Sequence, residues 1–250
     1  MKLIEKQILD FKMYLDEEDI GICKELIVHG IREKPSVDYI KTILRPDMNV
    51  LDLGANIGFY VFIEAGVVNH VHAIEPVDYN FNLLTKNISL NKYSNISTYQ
   101  LAIGSYNGTV EIYTSFGCNL ATIIPENGKS GNYFKGIEEV PIYTLDKFME
   151  NFAIGQIDLL RMDVEGAEVD IIAGGLKTLS NMPKNSHLAI EAHSICLKDK
   201  NKLGIMFDQI KANGFISIKA TVHEKELKIS DIRDYIINGG RCPQVFFKKC

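Results

Sequence analysis

The spacing of hydrophobic positions along this chain changes period repeatedly, and the changes come in a regular order. Val50, Leu51 and Leu53 form an apolar run too short for a helix, closed by Gly54. From Ile57 to Ala65 the apolar positions take up helical spacing. Val71-His72-Ala73-Ile74 reads as a second strand, ending at Glu75-Pro76, and Asp78 to Leu90 as a helix with Phe81, Leu84 and Ile88 on one face. Ile96 to Ile103 predicts a third strand. The turn Tyr106-Asn107-Gly108-Thr109 before Val110-Glu111-Ile112-Tyr113 predicts a β-hairpin. After an extended run at Val140-Pro141-Ile142-Tyr143, Thr144 caps a short helix reaching Asn151. A fourth strand (157–164), a helix stopped by Gly174-Gly175 and a fifth strand (187–191) follow. A helix (200–213) closed by Gly214 and two last strands at 215–218 and 244–247 complete the pattern. Strands alternating with helices imply an α/β chain with a doubly wound, mainly parallel sheet.

The ends of the pattern differ from its middle. Residues 1–48 hold one short strand-like run, Phe11 to Leu15, and two helical stretches. The first has Ile20, Cys23 and Ile27 at helical spacing before Gly30; the second starts from Ser36 as N-cap and runs to Leu44. Residues 1–48 are therefore expected to be an N-terminal helical cap on the main domain, 49–250. Residues 114–138 are rich in Gly, Asn, Ser and Thr, and a loop of that length inside a domain is usually functional or disordered. A polar excursion, 224–241, separates the last two strands.

Composition narrows the field. Of 250 residues 46% are hydrophobic, enough for one sizeable core. The net charge of −5 argues against nucleic acid as the main partner. The cysteines (Cys23, Cys118, Cys196, Cys242, Cys250) are scattered and odd in number, with no CxxC pair. They suggest free thiols in a reducing compartment rather than a disulfide frame or a zinc site. With no apolar leader and no run of membrane-spanning length, a cytoplasmic location is expected. Oligomeric state is not legible.

The chemistry gathers at strand ends. Leu53-Gly54-Ala55-Asn56-Ile57-Gly58 joins a strand to a helix through a tight turn, the arrangement that turns backbone N–H groups and a positive helix end toward an anionic ligand. Gly54 and Gly58 permit the turn and a close ligand approach, and Asn56 tolerates the left-handed region. Asp52 is costly inside an apolar strand unless it is hydrogen-bonded. Glu75 lies 21 positions after Gly54 at the end of the second strand, where nucleotide-binding folds place an acid for ribose hydroxyls. Asp163, Glu165, Glu191 and His193 follow the fourth and fifth strands. They could together hold a divalent cation or supply a general base. No diagnostic ligand motif is present, which favours the metal-free base, with His193 attractive because imidazole titrates near neutrality.

These residues carry a family resemblance. Leu51-Asp52-Leu53-Gly54-Ala55-Asn56-Ile57-Gly58 resembles the first motif of class I S-adenosylmethionine-dependent methyltransferases, which have a Rossmann-like fold. Together with Pro141-Ile142-Tyr143-Thr144-Leu145-Asp146-Lys147-Phe148 and the run from Ile157 through Asp163-Val164-Glu165-Gly166-Ala167-Glu168, it resembles the FkbM family within that class. The resemblance runs from about Asp19 to about His193. It implies a seven-stranded sheet with the last strand antiparallel, S-adenosylmethionine as cofactor, and methyl transfer, usually to a hydroxyl of a small or glycan-like acceptor. It also implies roles. Asp52, Gly54, Ala55, Asn56 and Gly58 would surround the methionine part of the cofactor, Glu75 the ribose, Ala102 the adenine, and Asp163 the transferring methyl.

Two rival readings share the turn and the acid. One is an NAD-dependent oxidoreductase, weakened because Gly-Ala-Asn-Ile-Gly lacks the Gly-x-Gly-x-x-Gly spacing suited to a pyrophosphate. The other is a non-catalytic cofactor-binding module, which the acids after strands four and five speak against.

Overall fold

The computed structural model describes residues 2–125, 134–197, 199–222, 225–238 and 242–250. The chain opens with an antiparallel hairpin, β1 (Leu3–Ile8) and β2 (Phe11–Asp16), followed by helices Ile22–His29 and Lys34–Ile43. Then come β3 (Asn49–Leu53), β4 (His70–Ile74) and β5 (Ile96–Tyr99) with helices Phe59–Ala65 and Asp78–Asn91 between them. Three short-range strands, β6 (Ala102–Gly104), β7 (Gly108–Ser115) and β8 (Phe134–Thr144), form a small sheet of their own. The rest is β9 (Leu159–Met162), β10 (His187–Glu191), β11 (Phe215–Val222), β12 (Lys225–Glu226) and β13 (Gln244–Lys249), with intervening helices.

The main sheet runs β12-β11-β13-β10-β9-β3-β4-β5. Neighbours from β10 to β5 pair in parallel, while β13 pairs antiparallel with both β10 and β11. The sheet is thus mixed and eight-stranded rather than seven-stranded. The extra member is the two-residue β12, where part of the 224–241 excursion folds back on β11.

Alternation along each strand covers both faces, as a pleated sheet requires. Val50, Leu159, Ala189 and Phe246 pack with the hairpin and helices Ile22–His29, Lys34–Ile43 and Phe59–Ala65. Their neighbours Leu51, Leu160, Leu188 and Phe247 pack on the other side with helices Leu145–Asn151, Glu168–Ala173 and Asn201–Ala212. Among the described residues no helix is long and apolar enough to cross a membrane.

Four expectations are corrected here. The N-terminal cap is not wholly helical. Its hairpin puts Ile8, Phe11, Met13 and Leu15 into the core, and two helix side chains serve its edge strand: Asn87 Oδ1 accepts from Tyr14 N at 2.6 Å and Asn91 Oδ1 from Lys12 N at 2.8 Å. Ser36 is not the N-cap. The helix begins at Lys34 after Glu33 in the left-handed region, and the Ser36 hydroxyl instead lies 2.7 Å from Thr221 Oγ1. Residues 96–103 split after Tyr99: Ala102 and Ile103 leave the main sheet, and Ala102 joins a separate apolar cluster with Ile112, Val140 and Ile142. No β6–β7 hairpin forms, because β8 lies between those strands.

Candidate active site

Between β3 and β9 the strand order reverses, since the chain goes outward to β4 and β5 on one side and later to β9 and β10 on the other. Parallel α/β sheets open a crevice at the carboxyl ends of such strands. Here it is a pocket of about 730 Å³ whose walls include Gly54, Asn56, Glu75, Ala102, Asp163 and Glu165. Six residues marked out in the sequence therefore meet in one place. Apolar surface comes from Leu53, Ile74, Leu101 and Ile123. A smaller pocket on the far side of the glycine turn is lined by Arg32, Ala55, Tyr60, Arg161 and Asp163.

The turn is held from below. Gly54 N and Ala55 N both donate to Ile74 O at 2.9 Å, and Asn56 N donates to Glu75 Oε2 at 2.8 Å. Gly54 has φ +80° and Asn56 φ +51°, so the left-handed residues fall where the sequence placed them. Gly58 shares the left-handed backbone, with φ +100°, and has a second reason as well. A Cβ there would lie 2.8 Å from Leu84 Cδ1 and from Phe62 Cε2, and Gly58 lines neither pocket. It is needed for the turn and for helix packing, and not for ligand approach.

Asp52 also departs from expectation. It is fully buried beneath the turn and lines neither pocket; its Oδ1 accepts from Arg161 Nη1 at 2.8 Å. Arg161, unmarked in the sequence reading, reaches Asp163 Oδ2 at 3.3 Å with Nη2 and stacks 3.8 Å over the Tyr60 ring. Burial pushes Asp52 up despite the arginine. For Asp163 burial pushes the same way, but Arg161, His193 and Arg32 together hold its carboxyl below the usual range.

Glu75 Oε1 accepts from Val77 N at 2.9 Å and from Asn80 Nδ2 at 3.3 Å. Burial carries its pKa from 4.5 to about 7 against those bonds. Asn80 also donates to Cys118 O at 2.8 Å, as does Asn56 Nδ2. The 116–125 segment of the expected long loop is thereby tied to the turn, and Cys118, Asn119, Ala121, Thr122 and Ile123 form one pocket wall. Asp19 secures the same wall, accepting from Cys118 N at 2.8 Å and Cys23 N at 2.9 Å; both thiols are free. Residues 126–133 of that loop lie outside the described residues.

The four residues proposed for chemistry also converge. His193 is buried, and its Nδ1 lies 2.6 Å from Oε1 of the fully buried Glu168. Its Nε2 faces Glu165 Oε2 at 3.6 Å, Glu191 Oε1 at 3.7 Å and Asp163 Oδ1 at 3.9 Å. Asp163 and Glu165 line the pocket; Glu191 and His193 stand behind them. Burial raises Glu165 to about 7. Burial works against a charged His193, yet Glu168, Glu165 and Glu191 raise it well above 6.5.

These shifts make a stability prediction for the ligand-free protein in chelator. Glu75 and Glu165 hold their protons up to about 7 when folded but only to 4.5 as free side chains. The folded state binds more protons between those values, so stability falls as pH rises through that window. Glu75 alone accounts for a loss of ~3 kcal/mol at most. His193, raised in the folded state, adds stability below 6.5 that is lost as pH climbs through its folded pKa, the same direction. His72 and His187, lowered to about 4 by burial, work in the opposite direction, so the comparison is between proteins: from about pH 5 to pH 7.5 the urea midpoint should fall more, or rise less, in wild type than in Glu75→Gln. An equal pH dependence in wild type and Glu75→Gln would refute the assignment.

Comparison with known proteins agrees with the geometry. Residues 52–217 match the methyltransferase FkbM domain model. The chain is 28% identical to the 2-O-methyltransferase NoeI of Sinorhizobium fredii over 154 residues, 56% of this chain and 63% of the relative. It thus spans less than two thirds of that relative's length. It is 24% identical to Methyltransferase 1 of Beauveria bassiana over 195 residues, 70% of this chain and 76% of the relative. In fold it is similar to a putative methyltransferase from Streptococcus mutans solved in complex with SAH, with TM-score 0.54 and 9% identity over 88% of this chain and 98% of that one. A Rossmann-like sheet, the turn and acid at its switch point, and a domain match across most of the chain have one explanation: this protein belongs to the FkbM methyltransferase family.

Proposed function

We propose that this protein transfers a methyl group from S-adenosylmethionine to a hydroxyl oxygen of a small or glycan-like acceptor. The observation that carries the reading is the meeting of Gly54, Asn56, Glu75, Ala102 and Asp163 around one pocket at the switch point. In this reading the ribose hydroxyls donate to Glu75, the adenine lies against Ala102 and Leu101, and the methionine end lies by the turn near Asp163. The O-methyl specificity of NoeI supports the hydroxyl acceptor by similarity.

A sulfonium methyl needs no further activation. The enzyme has to hold the acceptor oxygen in line with it and remove the acceptor's proton. The rigid turn serves alignment. Asp163 and Glu165 face the pocket at the edge where the methyl would emerge, and they serve proton removal with Glu191 and His193 behind. Small-molecule acceptors are favoured over nucleic acid by the net charge of −5.

Calorimetry with S-adenosylmethionine, S-adenosylhomocysteine and NAD tests the cofactor, and transfer of labelled methyl to a panel of sugars tests the acceptor. Tight binding of the first two and none of NAD is expected. Glu75→Ala should weaken S-adenosylhomocysteine binding by about 1.5–3 kcal/mol, the scale of hydrogen bonds to a charged group. A folded Glu75→Ala protein that binds as tightly as wild type would remove Glu75 from the ribose site.

A further inference from the structure

The acids around His193 are arranged for an ion rather than for one another. Glu168 is fully buried and sits 2.6 Å from Nδ1 of His193. A carboxylate there accepts, so Nδ1 keeps its proton when the ring is neutral, and Nε2, facing the pocket side, is the nitrogen that sheds its proton when a cation binds. Nε2 stands 3.6 to 3.9 Å from three carboxylate oxygens and within hydrogen-bond distance of none of them. A charge-assisted N–H···O bond would close to about 2.7–2.9 Å, so direct pairing is not what the spacing provides. Two ligands about 2.1–2.4 Å from a shared cation, at angles between square and trigonal, lie ~3.0–4.2 Å apart. The observed separations fall inside that interval. The donor atoms of Asp163, Glu191 and His193 also all lie within 4.8 Å of one another.

Charge points the same way. Arg161 already serves Asp52 and reaches only the Oδ2 side of Asp163. Among the described residues the Glu165 and Glu191 side chains have no hydrogen-bond partner, and His193 is their one ion-pair contact. Arg32, the other buried cation nearby, pairs with Glu33 and Glu25, so carboxylates so enclosed either keep a proton or take a further cation.

We propose that Asp163, Glu191 and His193 bind a single divalent cation, with Glu168 as the positioning residue that orients the imidazole and Glu165 beside the site on the pocket wall. One nitrogen with carboxylate oxygens and no thiolate suits a first-row divalent ion such as Mn2+. The geometry therefore favours the ion over the metal-free histidine base expected from the sequence. Binding of the ion stands on this geometry alone. Its role, which rests on the proposed methyl transfer, is to take the acceptor hydroxyl on its pocket side and lower that hydroxyl's pKa, so that its proton passes to the Glu165 carboxylate on the pocket wall.

The test is titration of chelator-treated protein with Mn2+, read by electron paramagnetic resonance, alongside calorimetry with S-adenosylhomocysteine. Wild type should bind one ion saturably and show the nitrogen coupling of a bound imidazole. Glu191→Gln and His193→Ala should weaken Mn2+ at least tenfold, and Glu168→Gln roughly 10–100-fold, while all three still bind S-adenosylhomocysteine. No saturable binding, no nitrogen coupling in wild type, or unchanged affinity in folded Glu191→Gln would overturn the site. Ion binding without any S-adenosylhomocysteine binding would leave the cation site standing and remove the proposed function instead.

Discussion

Gly54→Val should yield a protein that no longer binds S-adenosylhomocysteine, and the cause lies beneath the turn rather than in the pocket. A Cβ on Gly54 would sit 2.0 Å from the carbonyl oxygen of Asp163 and 3.0 Å from its carbonyl carbon. No side-chain rotation relieves a clash with backbone. The φ of +80° adds strain for any side chain, and more for a β-branched one. Either β3 and β9 must part at their carboxyl ends or the turn must rise into the cofactor's place. Separation breaks the Asp163 N to Leu53 O bond at 3.0 Å and carries Asp163 away from Arg161 and His193. We expect a stability loss on the order of 4 kcal/mol with cofactor binding gone. Gly54→Ala meets the same atom and should behave similarly. Denaturant unfolding and calorimetry check both, and a stable Gly54→Ala protein with wild-type binding would refute the account.

Arg161→Leu should be nearly as damaging. Arg161 is 2% exposed, and its guanidinium pairs with Asp52 and Asp163 and covers Tyr60. Glu64 is buried beside this group with neither carboxylate oxygen hydrogen-bonded, and burial raises it well above its ordinary range. Removing the arginine leaves Asp52 buried and uncompensated, a change that costs about 3–5 kcal/mol in buried pairs. Adding Asp52→Asn should recover at least ~1 kcal/mol, because a neutral amide needs no counter-charge. Urea unfolding of the single and double variants measures this. A single variant within ~1 kcal/mol of wild type would mean the pair holds nothing together. Arg161→Lys should also fall short, since an ammonium cannot fork between two acids and stack on a ring.

Much of this site was legible because local chemistry wrote it. Gly54, Asn56 and Glu75 were identified from a turn, a left-handed position and a spacing, all features of neighbouring residues along the chain. Asp163, Glu165, Glu191 and His193 were identified because charges rarely end apolar strands without cause. Arg161 was hidden. It sits inside Leu159-Leu160-Arg161-Met162, and its partner Asp52 is 109 positions away. Asn80, Asn119 and Thr122 were hidden for the same reason, each entering the pocket wall from a segment with no motif of its own.

By itself, the sequence determined the α/β alternation, the position of the turn and the acids at strand ends, because these depend on side-chain period and backbone conformation over a few residues. It also determined which strands have two apolar faces, as with Val50 beside Leu51. Strand order, the parting of residues 96–103 between two sheets and the N-terminal hairpin were decided by tertiary structure, since each depends on which distant surface a strand edge meets. The same holds for the two roles that changed. Asp52 became a buried anchor because β9 brought Arg161 against it, and Gly58, still a turn glycine at φ +100°, became a packing glycine too because helix Asp78–Asn91 brought Leu84 to within 2.8 Å of where a Cβ would be. The gap between His193 and its three acids was decided in the same way, by the parallel register of β9 and β10, a long-range pairing that no local pattern specifies.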